Sequence, residues 1–391
     1  MKKKIAIIIE RMDPTLGGAE RSISELAEAM SHRGLTVHII AATGQIDSPN
    51  THILFPEKSG KRTSFSAFEK ALKNHLSQNN YDIVHSVLPF DFADIYQPRG
   101  GSYTEAVLRN AASYENKFFA YFKKATTFIN FRRNALLHAE RRVCENLTGP
   151  VIAALSDYVA RQFKEHYRID PKRIAVIRNG IKTDRLIDNC KVNIMRKQIF
   201  RQLKISDSSD YILFLFAANN FRLKGLGCLI KALSVAANNN TLLMVVGRDD
   251  TTAYRNLAQK VGIANKIIFL GQIGDIQNII AVSDAVVLPT YYDPSSRIVL
   301  ESLAAGKPVI TTAFNGATEL FTAGRHGIVI DSPDNIPALA EALKYFSLPK
   351  NIKLASEAII ADNLKEKISI ERVAIEMETL YNAIIARRGN K

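Results

Sequence analysis

No run in this 391-residue chain is apolar enough to cross a membrane. The longest lies near residues 211–218, far short of the roughly 20 residues that a spanning helix needs. The start, Met1-Lys2-Lys3-Lys4, carries the charge of a secretory leader, but the apolar run behind it covers only residues 5–9 before Glu10 and Arg11. A first strand is expected there, not a leader. Cysteine is scarce: Cys144, Cys190 and Cys228 are odd in number and widely spaced. That excludes a disulfide scaffold and a cysteine zinc site and points to a reducing compartment. Neither G-x-G-x-x-G nor G-x-x-x-x-G-K-[ST] occurs, which removes the dinucleotide fingerprint and the P-loop. Internal repeats and low-complexity segments are also missing.

What remains is ample for packed cores, with 47% hydrophobic and 8% aromatic residues. The length suggests two domains. The net charge is +14. Residues 1–178 carry 26 Lys/Arg against 18 Asp/Glu, and the remainder 26 against 20, so the excess of +8 and +6 is spread over both halves. It implies an anionic partner, whether phosphate, lipid surface or nucleic acid.

Strand and helix signals alternate through the first half, with strands expected near 5–9, 36–41, 82–85, 151–154 and 174–177. Helices are expected near 19–33, 65–76 and 156–167. Residues 181–209 are polar and charged and read as a linker region. A second alternating series follows to about residue 346, and residues 369–386 place Ile370, Val373, Met377, Leu380 and Ile384 on one helical stripe. Such alternation argues for two α/β units with parallel, doubly wound sheets and a cleft between them, with ligands at the carboxyl ends of the strands.

The stretch 293–312, DPSSRIVLESLAAGKPVITT, carries the strongest chemical signal. Asp293 precedes a short helix and Glu301 lies eight positions on. Ser295 and Ser296 are expected to open the helix with backbone N–H groups available to an anion, beside Arg297 and Ile298. One acid for hydroxyls, amides for phosphate and a second acid for a ribose would suit a nucleotide-sugar. Gly17 and Gly18 follow the first strand and precede a helix, where absent side chains allow close backbone approach. Asn219 to Gly225, NNFRLKG, repeats that arrangement, and Arg222 and Lys224 could neutralise a diphosphate. Gly247, Arg248 and Gly271 end further strands and could shape a base or ribose pocket. The Asp249-Asp250 pair reads as a helix cap rather than a metal site. His85 ends a strand and is a candidate on the acceptor side. Residues 109–142 hold eight basic residues against Glu115 and Glu140, interleaved with Phe118, Phe119, Tyr121, Phe122, Phe128 and Phe131. That mixture suits an anionic membrane interface or a helix pair packed into the core.

Taken together, these motifs resemble the retaining family 4 glycosyltransferases of the GT-B fold, and among them the lipopolysaccharide-core hexosyltransferases of the heptose glucosyltransferase type. The likeness runs from Gly17-Gly18-Ala19-Glu20, through Asn179-Gly180-Ile181, to Asp293/Glu301, Ala305-Gly306-Lys307-Pro308-Val309 and Asn315-Gly316 to Glu319. It implies an acceptor-side Rossmann-like domain over residues 1–180 with a basic aromatic insert near 100–145. A nucleotide-sugar-binding domain over 181–368 and a helix over 369–391 packing back toward the first domain would complete the fold. It further implies that Glu301 bonds the ribose, Asp293 the hexose hydroxyls, and Lys224, aided by Arg222, the departing diphosphate. The amides near Ser295–Ile298 and Gly18 would complete the donor site. Transfer would retain configuration by front-face attack, with UDP-glucose or another nucleotide-sugar as donor. No cofactor and no metal is implied, in keeping with the missing D-x-D. The acceptor would be a lipid-linked or lipopolysaccharide-core glycan, and the protein cytoplasmic, peripheral on an anionic membrane surface, with no nucleic acid partner.

The chain departs from the family pattern at three places. The first acid is Asp293 where Glu is usual, shortening its reach by one carbon. Leu223 separates Arg222 from Lys224. The acceptor-side loop reads Gln97-Pro98-Arg99-Gly100-Gly101-Ser102 without the histidine of many relatives, and Arg99 becomes the candidate there. Two rival readings are a GT-B nucleotide-sugar 2-epimerase, for which only His85 offers acid–base chemistry, and a basic nucleic-acid-binding or scaffold protein. The second explains the charge but leaves Asp293, Glu301 and the glycine loops idle.

Overall fold

The computed structural model describes residues 2–13, 17–46, 48–56, 63–114, 130–184, 187–205, 211–236 and 240–389. The chain divides into two compact units: Met1–Ala111, Asn116–Lys182 and Ser369–Lys391 form one, and Ala112–Glu115 and Thr183–Ile368 the other.

In the first unit the strands are β1 (Lys4–Met12), β2 (Thr36–Gly44), β3 (Thr51–Ile53), β4 (Ile83–Ser86), β5 (Ile95–Tyr96), β6 (Val151–Ala154) and β7 (Ile174–Val176). They lie in the order β3-β2-β1-β4-β5-β6-β7, with every pair parallel. Helices α1 (Gly18–His32), α2 (Phe65–Gln78), α3 (Tyr103–Ala112), α4 (Phe131–Glu145) and α5 (Asp157–His166) accompany them. Parallel strands buried on both faces read as continuous apolar runs, and β1 obeys, with Ile5, Ala6, Ile7 and Ile8 fully buried.

The second unit repeats the plan with β8 (Ile212–Ala217), β9 (Thr241–Val246), β10 (Ile267–Gly271), β11 (Ala285–Leu288), β12 (Val309–Thr312) and β13 (Gly327–Ile330). Their order is β10-β9-β8-β11-β12-β13, again parallel throughout. Its helices are α6 (Asn189–Gln202), α7 (Leu226–Ala236), α8 (Thr252–Lys260), α9 (Ile276–Val282), α10 (Arg297–Ala304), α11 (Ile336–Phe346), α12 (Pro349–Ala361) and α13 (Leu364–Lys367). The last helix, α14 (Ile370–Gly389), belongs to the first unit. Its stripe of Ile370, Val373, Met377, Tyr381 and Ile384 joins the core built by Ile5, Ile7, Ile23, Leu26 and Met30.

The structure departs from the sequence expectations in several places. The expected linker contains α6, whose Ile199 and Phe200 are buried and whose Arg196 donates to the Val282 carbonyl (2.7 Å). Only these two of its fourteen residues are buried, which leaves little periodicity to read. After β12 the chain makes a 3₁₀ turn over Gly316–Leu320, capped by Asn315. Helices α12 and α13 went unanticipated. Of the basic aromatic insert, Phe118, Phe119, Tyr121, Phe122 and Phe128 lie outside the described residues. Phe131 opens α4 at 89% exposure, while Arg132 is ion-paired with Glu10 (2.6 Å) and Arg141 with Glu145 (2.8 Å). The inner end of α4 is pinned by Glu140, fully buried and accepting from the Tyr96 hydroxyl (2.8 Å) and the Tyr103 N–H (2.8 Å). Burial pushes that carboxyl up to about 7, against the pull of its hydrogen-bond donors.

At the β3 edge of the first sheet His38, His52 and His75 gather. The His38 Nδ1 lies 2.9 Å from His52 Nε2, the rings of His52 and His75 are 4.9 Å apart, and Lys4 sits over the neighbouring Tyr81 ring. Desolvation first, then the Lys4 charge, lowers the pKa of His38 to about 4; the same causes lower His52, and desolvation followed by His52 and Lys4 lowers His75. A histidine whose folded pKa is depressed is protonated more readily in the unfolded chain. Stability is therefore fully present above the unfolded value near 6.5 and is lost as pH falls from there toward 4. Urea midpoints measured from pH 7.5 to 4.5 are expected to fall across this window, and a His38→Asn/His52→Asn/His75→Asn variant should flatten the slope.

Candidate active site

The order of the second sheet reverses between β8 and β11, and in open parallel sheets ligands bind outside the carboxyl ends of the strands at such a switch point. The loops leaving those two strands are 218–225 and 289–296, the segments that carry Arg222, Lys224 and Asp293.

These loops are laced together by backbone. The Tyr291 N–H donates to the Leu223 carbonyl (2.9 Å), and Thr290 Oγ1 reaches the same oxygen (3.3 Å). Gly225 turns at φ +79°, and a Cβ there would stand 2.0 Å from the Pro289 carbonyl oxygen. That close approach brings Lys224 Nζ to 2.6 Å from Asp293 Oδ2 and 2.8 Å from the Tyr292 carbonyl. Both side chains are mostly buried, at 19% and 14% exposure. A cation and an anion, separated by 69 residues in the chain, thus share one half-buried point.

Asp293 is held from behind. Its N–H donates to the Phe314 carbonyl and its own carbonyl accepts from the Gly316 N–H, each at 2.9 Å. Its Oδ1 accepts from the Ser295 N–H (3.2 Å), while the fully buried Asn315 takes the Ser296 N–H on its Oδ1 (3.1 Å) and donates to Thr311 Oγ1 (3.0 Å). The Ser295 and Ser296 amides, expected to await an anion, are therefore already engaged. The helix proper begins at Arg297, and its first intrahelical bond runs from the Leu300 N–H to the Ser296 carbonyl (3.2 Å). The first-turn amides of Ile298 and Val299 precede that bond and sit at the positive end of α10. Glu301, 4% exposed, faces inward on α10 and accepts from Arg297 Nη2 at 3.1 Å.

On the other flank Gly247 directly follows β9, and its N–H donates to the Gly271 carbonyl at the end of β10 (2.9 Å). Arg248 follows and is exposed. Asp250 takes the Thr252 N–H (2.9 Å) at the start of α8, although the N-cap position itself is Thr251, and Asp249 reaches further: its Oδ2 accepts from the Phe221 N–H (2.8 Å) and so ties the β9 loop to the Lys224 loop. Sequence reasoning missed both Asp249 and Asn315 as supports, since each acts through a backbone amide distant in the chain.

The two halves of the chain match two families in succession: Glycosyltransferase Family 4 over residues 16–185 and Glycosyl transferases group 1 over residues 196–359. The chain is a glycosyltransferase that carries these two domains. It is 28% identical over 337 residues, covering 84% of this chain and 85% of the relative, to the lipopolysaccharide glucosyltransferase WaaG of Escherichia coli. It is 27% identical over 56% of its length, and 60% of the relative's, to the uncharacterized glycosyltransferase MJ1607 of Methanocaldococcus jannaschii. The crystal structure of WaaG superposes with a TM-score of 0.74 at 23% identity, covering 97% of this chain and 99% of that one. The Anabaena HepE structure in complex with UDP and glucose gives 0.66 at 16% identity, over 97% and 99%. These likenesses establish the GT-B fold of two parallel-sheet Rossmann-like domains.

The transferase's remaining candidates lie in the first unit. Gly17 caps the start of α1 with extended backbone (φ −175°), and Gly18 is its first residue. Arg99, half-buried, donates to Asn179 Oδ1 (3.1 Å) and Gln97 Oε1 (3.3 Å). His85 calls for a correction: it is fully buried, with Nδ1 2.7 Å from the Tyr381 hydroxyl of α14. Burial, then the Arg99 charge, lowers its pKa to about 3. The strand end read as a ligand-facing position is covered by the C-terminal helix, so His85 is a neutral core residue.

Proposed function

We propose that this transferase moves a hexose, glucose from UDP-glucose in the first instance, to a lipopolysaccharide-core or other lipid-linked glycan, with retention of configuration and without a metal. The observation that carries the reading is the Lys224–Asp293 pair at the switch point of the second sheet, with Glu301 about one turn along α10. Its chemistry fits a donor made of hydroxyls and a diphosphate. The phosphate oxygens meet the Lys224 ammonium where Asp293 and the Tyr292 carbonyl hold it, and the Asp293 carboxylate accepts from the hexose hydroxyls. Glu301, oriented by Arg297, takes the ribose hydroxyls, and the first-turn amides of α10 face the phosphates.

In the transfer itself the bond from C1 of the hexose to the diphosphate oxygen breaks while the acceptor oxygen bonds C1 on the same face. The acceptor's proton passes to the departing diphosphate, whose charge Lys224 and Arg222 neutralise. UDP is favoured by the HepE complexes, and the lipopolysaccharide acceptor by the named role of WaaG. Among the described residues no helix is long and apolar enough to cross a membrane. A lipid-linked acceptor would still bring the protein to a membrane surface, which sedimentation with anionic against neutral vesicles checks.

The deciding experiment is a hydrolysis and thermal-shift screen over UDP-, GDP- and ADP-sugars, run on the wild type and on Glu301→Ala. A UDP-sugar is expected to raise the melting temperature of the wild type, and Glu301→Ala to abolish most of the shift. If no nucleotide-sugar shifts the wild type, the donor reading fails.

A further inference from the structure

Arg222 is held by residues far from it in sequence. Its guanidinium carbon lies 3.7 Å from the centroid of the Tyr114 ring, and its Nη1 donates to Ser113 Oγ. Ser113 is 3% exposed, and both residues belong to the short piece Ala112–Glu115 that groups with the second unit. The backbone under Arg222 is fixed independently. Asp249 takes the Phe221 N–H, Asn220 Oδ1 takes the Leu223 N–H (3.0 Å), and the Gly225 N–H closes on the Arg222 carbonyl (3.1 Å). The long side chain is thus the movable part of an otherwise rigid turn.

We infer that Tyr114 and Ser113 position the Arg222 guanidinium for the donor's diphosphate. The inference rests on the donor reading above and adds two residues that none of the motifs contains. Stacking covers one face of the guanidinium and fixes the plane in which its N–H donors lie, the plane in which a phosphate meets them edge-on. One donor is spent on Ser113, which fixes rotation about the stacking axis. A guanidinium ordered before the ligand arrives loses less freedom on binding. This also accounts for Leu223 standing between Arg222 and Lys224. Lys224 is oriented through Asp293, so Arg222 needs an anchor of its own, and Tyr114 supplies it.

The test is calorimetric titration of UDP into the full-length wild type and the variants Tyr114→Phe, Tyr114→Leu, Ser113→Ala, Arg222→Ala and Tyr114→Leu/Arg222→Ala. Tyr114→Phe keeps the ring and is expected to bind within about twofold of wild type, whereas Tyr114→Leu should bind about fivefold more weakly, the scale of a partly exposed cation–π contact. Ser113→Ala should lose about threefold, the low end for the net contribution of an ordinary hydrogen bond. Arg222→Ala should lose at least as much as Tyr114→Leu, and adding Tyr114→Leu to it should cost nothing more. A Tyr114→Leu variant that binds like wild type while Arg222→Ala is weakened overturns the positioning role and leaves the donor reading standing. So does a loss from Tyr114→Leu that persists undiminished in the Arg222→Ala background, since that would be a general structural effect. Failure of the wild type to bind UDP overturns both.

Discussion

Lys224→Ala is expected to lower nucleotide-sugar turnover by about 10²–10³-fold, the scale of removing one preorganised electrostatic stabiliser from a reacting centre. The argument is geometric. The ammonium is fixed by the Tyr292 carbonyl at 2.8 Å and by Asp293 at 2.6 Å, both on the loop after β11, while its own backbone belongs to the turn after β8. It is therefore aimed before any ligand binds, and little reorganisation is needed when charge develops on the leaving diphosphate. The loss should fall more on kcat than on the affinity for the nucleotide-sugar, because the departing diphosphate carries more charge than the bound donor. The substitution also strands the Asp293 carboxylate at 14% exposure without its cation. A Lys224→Ala/Asp293→Asn double variant removes that second cost, so its recovered stability would show how much of the single variant's loss of stability comes from the stranded carboxylate. Turnover by Lys224→Ala within about threefold of wild type would remove Lys224 from the chemistry.

Gly225→Ala is expected to destabilise the second unit by about 3 kcal/mol. The left-handed φ of +79° costs an L-residue about 1–2 kcal/mol. The added Cβ would meet the Pro289 carbonyl at 2.0 Å, far inside van der Waals contact, and the strain of opening a packed backbone adds about 1–3 kcal/mol. The loop after β8 would then separate from the loop after β11, and the Tyr291 N–H to Leu223 bond and the Lys224–Asp293 pair would lengthen with it. Gly262 is the control. It also has positive φ, +75°, but a Cβ there meets nothing within 4 Å, so Gly262→Ala should cost only the conformational part, about 1 kcal/mol. Urea unfolding of the two variants reads the difference directly, and equal midpoints would mean that the approach to Pro289 is not tight in solution. Calorimetry on Gly225→Ala under folded conditions should show UDP binding weakened as well.

Much of the site was legible because its chemistry is written locally. Asp293 and Glu301 stand at a fixed spacing on one loop and helix, and NNFRLKG joins a strand to a helix within seven residues. Other parts could not be read because they depend on where distant segments arrive. The Ser295 and Ser296 amides looked available until Asp293 and Asn315 were found to occupy them. His85 looked ligand-facing because it ends a strand, and only the return of α14 places Tyr381 against its ring. The α6 segment hid in a polar stretch because two buried residues in fourteen make no visible stripe.

The sequence by itself determined the alternation of strands and helices, the two parallel sheets, and the glycines, cations and acids at strand ends, since periodicity and turn chemistry act over a few residues. The tertiary structure alone decided which of those groups meet. It joined Lys224 to Asp293 across 69 residues, set Tyr114 under Arg222, tied Asp249 to Phe221 and sealed His85. The physical reason is the crossover order of each sheet, which brings strands far apart in the chain side by side. Loops from β8 and β11 become neighbours because β11 pairs directly with β8, while β9 and β10 lie on the other side of β8.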